Sequence, residues 1–120
     1  MSADETPERL LAQNARSMEL EELELDPADV VAGSPRTRLE ALISAGDLEI
    51  GIWEITSGIV RDIESDEVFV VLSGRARVEF DGGSSLPLSE GTVVRLCAGD
   101  RTTWTIYETL RKVYIVLPPE

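Results

Sequence analysis

A chain of 120 residues and 13.2 kDa amounts to about one domain, and its hydrophobic and charged fractions, 42% and 28%, are those of an ordinary globular protein. It carries 23 acidic residues, 11 basic residues and no histidine, for a formal charge of −12. That excludes imidazole metal ligation, Ser-His-Asp or Cys-His relays and a histidine pH switch, and so acidic a surface repels nucleic-acid phosphates and anionic lipid headgroups.

Residues 1–30 hold nine acids against two bases, so segment 1–34 reads as an acidic extension of a more balanced domain over 35–120. No basic region followed by an apolar stretch opens the chain, and no apolar run approaches the ~20 residues that span a bilayer. The expected location is the cytoplasm, where a lone cysteine, Cys97, stays reduced. Thr6 followed by Pro7 suits a helix start and predicts a short helix over about 7–17, showing Leu10 and Leu11. The acidic and apolar run Met18–Asp26 reads as a solvated face or edge segment.

From Arg36 onward, turn signals come at strand-like intervals: Ala45-Gly-Asp47, Ser57-Gly58, Ser73-Gly74, Asp81-Gly-Gly83, Ser89-Glu-Gly91, Ala98-Gly-Asp100 and Pro118-Pro119. Arg36–Ala45 is ambiguous, because Leu39, Leu42 and Ile43 also suit a helix face. Val68–Leu72 is apolar on both faces, which requires cover on both sides and suggests a homodimer. Arg75–Asp81 alternates cleanly, with Ala76, Val78 and Phe80 on one face, and Asp81-Gly82-Gly83 makes a tight hairpin turn. Leu110–Leu117 closes the chain with a mostly apolar strand carrying Arg111 and Lys112. Short strands, glycine-rich turns and no alternating helices predict an all-β sandwich or barrel.

Two stretches resemble the cupins, small jelly-roll barrels. Gly58-Ile-Val-Arg-Asp-Ile-Glu-Ser-Asp-Glu67-Val-Phe-Val-Val-Leu-Ser-Gly74 keeps both glycine ends and the glutamate of the family's first motif. Gly91-Thr-Val-Val-Arg-Leu-Cys97-Ala-Gly99-Asp-Arg-Thr102-Thr-Trp-Thr-Ile106 keeps the spacing of the second, with Cys97 where proline is expected and Thr102 where a metal-binding histidine is expected. Trp104–Tyr114, with Gly51-Ile-Trp53-Glu54, is similar more narrowly to the ureidoglycine aminohydrolase-like cupins. The resemblance implies a cupin-like jelly roll with a short N-terminal extension. In such barrels, imidazoles and the motif glutamate hold a divalent ion; here only Glu67 remains, so neither a metal site nor any other cofactor is expected. An oxygen-only site from Asp62, Glu64, Asp66 and Glu67 is a disfavoured alternative.

The resemblance places Glu67 in the barrel with Phe69 and Val71, where Arg61, Arg95 or Arg101 could pair with it. Thr102 and Trp104 would share that inward face with Ile106, as a hydroxyl that orients a ligand and a flat apolar wall; filling the barrel is the plainer role for the tryptophan. Glu54 joins them if the strand register turns it inward. Ligand-binding candidates are therefore Glu67, Thr102, Trp104 and Glu54, and no catalytic residue is assigned. Cys97 reads as a small buried thiol, and Arg111 and Lys112 as salt-bridge partners for acids of the extension. Three functions remain open: a metal-free cupin binding a small molecule, an enzyme acting on a small nitrogenous metabolite, and an interaction protein with a filled barrel.

Overall fold

The computed structural model describes residues 8–119. Among these residues nine strands follow one another: β1 (Glu21–Leu23), β2 (Val30–Ala32), β3 (Thr37–Ala45), β4 (Leu48–Ile55), β5 (Gly58–Ile63), β6 (Glu67–Phe80), β7 (Ser85–Leu88), β8 (Val93–Leu96) and β9 (Arg101–Val116). One 3-10 turn, Pro27–Asp29, is capped by the Asp26 carboxylate, which accepts from the Ala28 N–H. All pairings are antiparallel.

The fold is organised by its two longest strands. β6 and β9 pair along nearly their whole lengths, from Glu67↔Val116 to Phe80↔Thr102, and the register shifts around Ser73–Ala76. At that bend Gly74 has φ +96°, and a Cβ there would overlap the Thr109 carbonyl, so the close approach of the two backbones needs glycine. On one side of the bend the strand order is β1-β3-β4-β9-β6-β8, and on the other it is β2-β5-β9-β6-β7. Two half-sheets therefore share one bent ribbon and fold over a common interior: a jelly roll, as the sequence predicts.

Alternation decides what enters that interior. Phe69, Val71, Ala76, Val78, Leu88, Val94, Leu96, Trp104, Ile106, Leu110 and Tyr114 form its buried core with Ile55 and Val60. Arg75, Arg77, Glu79 and Asp81 face solvent between them, and the Asp81-Gly-Gly83 turn joins β6 to β7. The ambiguous stretch is a strand, β3. A register irregularity between Ala41 and Ile43 explains its helix-like spacing, because one extra residue inside a period-2 pattern places Leu39, Leu42 and Ile43 at intervals of three and one. On β6 the outward Val68, Val70 and Leu72 are half-buried, not enclosed on both faces.

The extension contains no α-helix among its described residues, and the Thr6-Pro7 start signal lies outside them. Leu10 and Leu11 stay exposed, so a helix here would have nothing to bury. Its backbone is used otherwise: a turn at Asn14–Met18 leaves the Ala15 and Met18 carbonyls free to accept from the Arg111 guanidinium at 3.0 and 2.8 Å. In a longer helix those carbonyls would be spent internally. The chain then adds β1 to the edge of β3 and β2 to the edge of β5.

Candidate functional site

Between the half-sheets lies a cavity of about 270 Å³. Inward positions of β4 and β9 supply Glu49, Trp53, Lys112 and Tyr114, because the register pairs Gly51 with Tyr114 and Trp53 with Lys112 on one face. β5 and its following turn supply Arg61, Asp62 and Glu64, β6 supplies Glu67, and Leu23, Glu24, Leu25 and Asp29 of the extension complete the wall.

Two polar clusters stand in this interior. In the first, the Lys112 ammonium donates to Glu67 at 2.9 Å, with both side chains nearly enclosed, 8% and 12% exposed. The ammonium also sits 4.8, 4.3 and 4.9 Å from the ring centroids of Trp53, Phe69 and Trp104, a cage whose electron-rich faces partly replace lost water. In the second, Glu64 is 8% exposed and accepts from the Thr102 hydroxyl at 2.6 Å and from the Trp104 indole N–H at 3.0 Å. Burial raises the Glu64 carboxyl above its ordinary range and the Asp62 charge adds to this, against the lowering effect of its two donors and Lys112. Asp62 at the rim is raised as well, by burial first, while the Ile63 N–H and Lys112 oppose and Asp29 and Glu67 reinforce. The Tyr114 phenol donates to Glu49, and burial together with that bond holds it protonated far above the usual range.

Among the residues expected in the site, Glu67 and Trp104 line the cavity. Thr102 is buried beside it and acts through Glu64. Glu54 is on the other face of β4: the register turns it outward, where it binds Arg111 at 2.9 Å. The partner of Glu67 is Lys112, since Arg61 and Arg101 are exposed and Arg95 faces outward, 3.9 Å from Asp66. Among the described residues, neither Arg111 nor Lys112 pairs with an acid of the extension; what the extension offers Arg111 there is backbone carbonyls. Cys97 is exposed in a turn closed by Asp100, not buried. Sequence reasoning missed Lys112 and Glu64 as interior groups. The alternation of Leu110, Lys112 and Tyr114 carried a signal for the first, whereas Glu64 lies in an irregular turn with no periodicity to read.

The divalent-ion site that the cupin resemblance implies does not fit these side chains. Thr102 spends its hydroxyl on Glu64, and an ammonium already faces Glu67, where a second cation would be repelled. The four candidate carboxylates diverge to separate partners, and among the described residues no three His, Cys, Asp or Glu converge.

Comparison with known proteins bears on the fold. Residues 43–114 match the EutQ-like cupin domain. A DUF861-family protein of unknown function from Pseudomonas syringae pv. tomato superimposes with a TM-score of 0.76 at 26% identity, over 87% of this chain and 46% of that one. This chain thus spans about half of that protein's length. The EutQ protein of Clostridium difficile (TM-score 0.64, 17% identity, 80% of this chain and 81% of that) and the ectoine synthase of P. lautus (0.64, 17%, 80% and 73%) share the fold. No curated protein matches. With three-fifths of its length covered by that domain and the barrel built as described, the chain belongs to the EutQ-like cupin family.

Proposed function

We propose that the protein binds a small polar molecule inside the barrel, without a resident metal, using Glu64, Trp104 and the Glu67–Lys112 pair as its recognition surface. The observation that carries this reading is an open interior beside buried charge: about 270 Å³ next to Glu64 and Lys112, in place of packed apolar side chains. That volume lies just under the roughly 300–1,000 Å³ of pockets for drug-sized ligands, which suits a metabolite. It also weighs against a barrel filled by its own residues. The test is a thermal-shift screen of the full chain against ureides, keto acids, sugars and amines. A ligand at ten times its Kd stabilises the folded state by about 1.4 kcal/mol. The reading expects hits whose shift disappears in Glu64→Gln; hits that keep it in both Glu64→Gln and Trp53→Leu would refute it.

A second reading, hydrolytic chemistry on a nitrogenous metabolite in the manner of the ureidoglycine aminohydrolase-like cupins, is favoured by a carboxyl at the cavity wall, Glu64, that burial raises above its ordinary range, the direction general acid–base work needs. It predicts turnover of a binding hit that stops in Glu64→Gln. Either reading keeps the protein in the cytosol. It also includes a homodimer formed through the half-buried Val68, Val70, Val113 and Ile115 of the outer face. In light scattering coupled to gel filtration, a dimer mass that falls to the monomer in Val70→Glu supports the pairing, and a monomer mass for the unaltered chain refutes it.

A further inference from the structure

We propose, resting on the cavity-binding reading above, that the molecule taken by this cavity is a small organic cation, an alkylammonium or guanidinium, held by the carboxylates of Glu64 and Asp62. Six carboxylates line the cavity against two basic side chains. One of those bases, Lys112, is committed to Glu67 and three aromatic rings, and the other, Arg61, is exposed at the rim. The surplus of negative charge inside is therefore not cancelled by the protein.

The second observation is an unused acceptor. Both donors to Glu64 reach the same oxygen, Oε2, and among the described residues Oε1 receives no hydrogen bond; it is not sealed in but open to the cavity that the residue lines. An acceptor so placed is free for a ligand's donor, and a charged donor suits a carboxylate best. A neutral donor would satisfy Oε1 and leave the mutual repulsion of Asp62, Asp29 and Glu67 as it stands, whereas a cation relieves it; the carboxyl of Asp62 is raised chiefly by burial, with a smaller addition from those two acids. An apolar wall is the third element: Trp53 and Trp104 stand edge to face with centroids 6.2 Å apart and both line the cavity, where they can cover a ligand's alkyl part while Lys112 occupies the ring faces. Glu24 and Asp29, brought to the same wall by the extension, add acceptors there.

The chain's two tryptophans supply the test, because both line the cavity and the Trp104 indole N–H is bonded to Glu64. The full-length protein, labelled with nitrogen-15, is titrated with butylammonium, butylguanidinium, butyramide and butyrate, four probes of like size and differing charge. The expected result is that the two cations move the Trp104 indole signal saturably, at least tenfold more tightly than butyramide. That affinity should fall tenfold or more in Asp62→Asn, a rim substitution that leaves the core intact, and in Glu64→Gln. Butyramide or butyrate binding as tightly as the cations would overturn the cation assignment and leave the cavity reading standing. Indole signals unmoved by all four probes would likewise overturn the cation assignment, the cavity reading being decided by the thermal-shift screen.

Discussion

The Glu67–Lys112 pair is the most consequential interior contact, and its energetics can be tested by a double-mutant cycle. Lys112→Met removes the ammonium and leaves a carboxylate 12% exposed without its partner. Breaking a buried pair costs roughly 3–5 kcal/mol, and the adjoining cavity admits water to Glu67, so the lower end, about 3 kcal/mol, is expected. Glu67→Gln leaves the ammonium on the faces of Trp53, Phe69 and Trp104, which retain a cation–π attraction of about 0.5–2 kcal/mol at such sites, so this change costs less, about 2 kcal/mol. The double variant has no stranded charge and should cost about 3 kcal/mol, giving a coupling of about 2 kcal/mol. Urea unfolding at pH 7 reads these as midpoint shifts, about 1.5 M for Lys112→Met at a slope near 2 kcal/mol per molar. Single costs that add to within about 0.5 kcal/mol would refute the pairing argument, and a larger cost for Glu67→Gln than for Lys112→Met would refute the aromatic cage.

Glu64 makes a pH prediction. Its carboxyl is raised in the folded state from an ordinary value of 4.5, so its contribution to stability is complete below that pH and is lost as pH rises through the raised value. Thermal melts of Glu64→Gln and the parent should therefore diverge in favour of the variant from pH 4 to pH 7; a constant difference contradicts the assignment. Arg111→Met removes the fork that binds Glu54 and the Ala15 and Met18 carbonyls. Hydrogen exchange at the Ser17 and Met18 amides should quicken by about thirtyfold, near 2 kcal/mol of local opening, with Arg111→Lys recovering little of it; unchanged exchange would show that the extension is held by β1 alone. Gly74→Ala should cost more than 3 kcal/mol by overlap at the Thr109 carbonyl, against about 1 kcal/mol for Gly82→Ala, where φ is +105° and the space is open; equal melting temperatures would refute the close-approach argument.

Where side-chain period and burial coincide, the fold was readable from the residues. Arg75–Asp81 alternates because one face meets the core, and Thr102, Trp104 and Ile106 turn inward for the same reason. Legibility failed where structure comes from contacts distant in the chain. The extension's start signal is local, but Arg111, about 95 positions away, decides what its backbone does. Glu54 carries no mark of which face it takes, since β4 is apolar on both sides and one residue of register reverses the assignment. Glu67 was placed correctly in the interior by the resemblance, yet its partner is on a strand paired through Val71, and no spacing rule links Glu67 to Lys112.

The terminal strands β1 and β2 have a consequence for the molecule in a crowded solution. A curled sheet that stops short of closure offers bare N–H and C=O groups to any passing strand, the usual beginning of fibrous assembly. Here one rim of each half-sheet ends in a three-residue piece of the same acidic segment, which carries Glu21, Glu22, Glu24, Asp26 and Asp29, and the opposite rims end in the four-residue β8 and β7. A neighbour seeking to extend the sheet meets a strand too short to template it and a row of like charges. The extension thus doubles as a bumper against polymerisation.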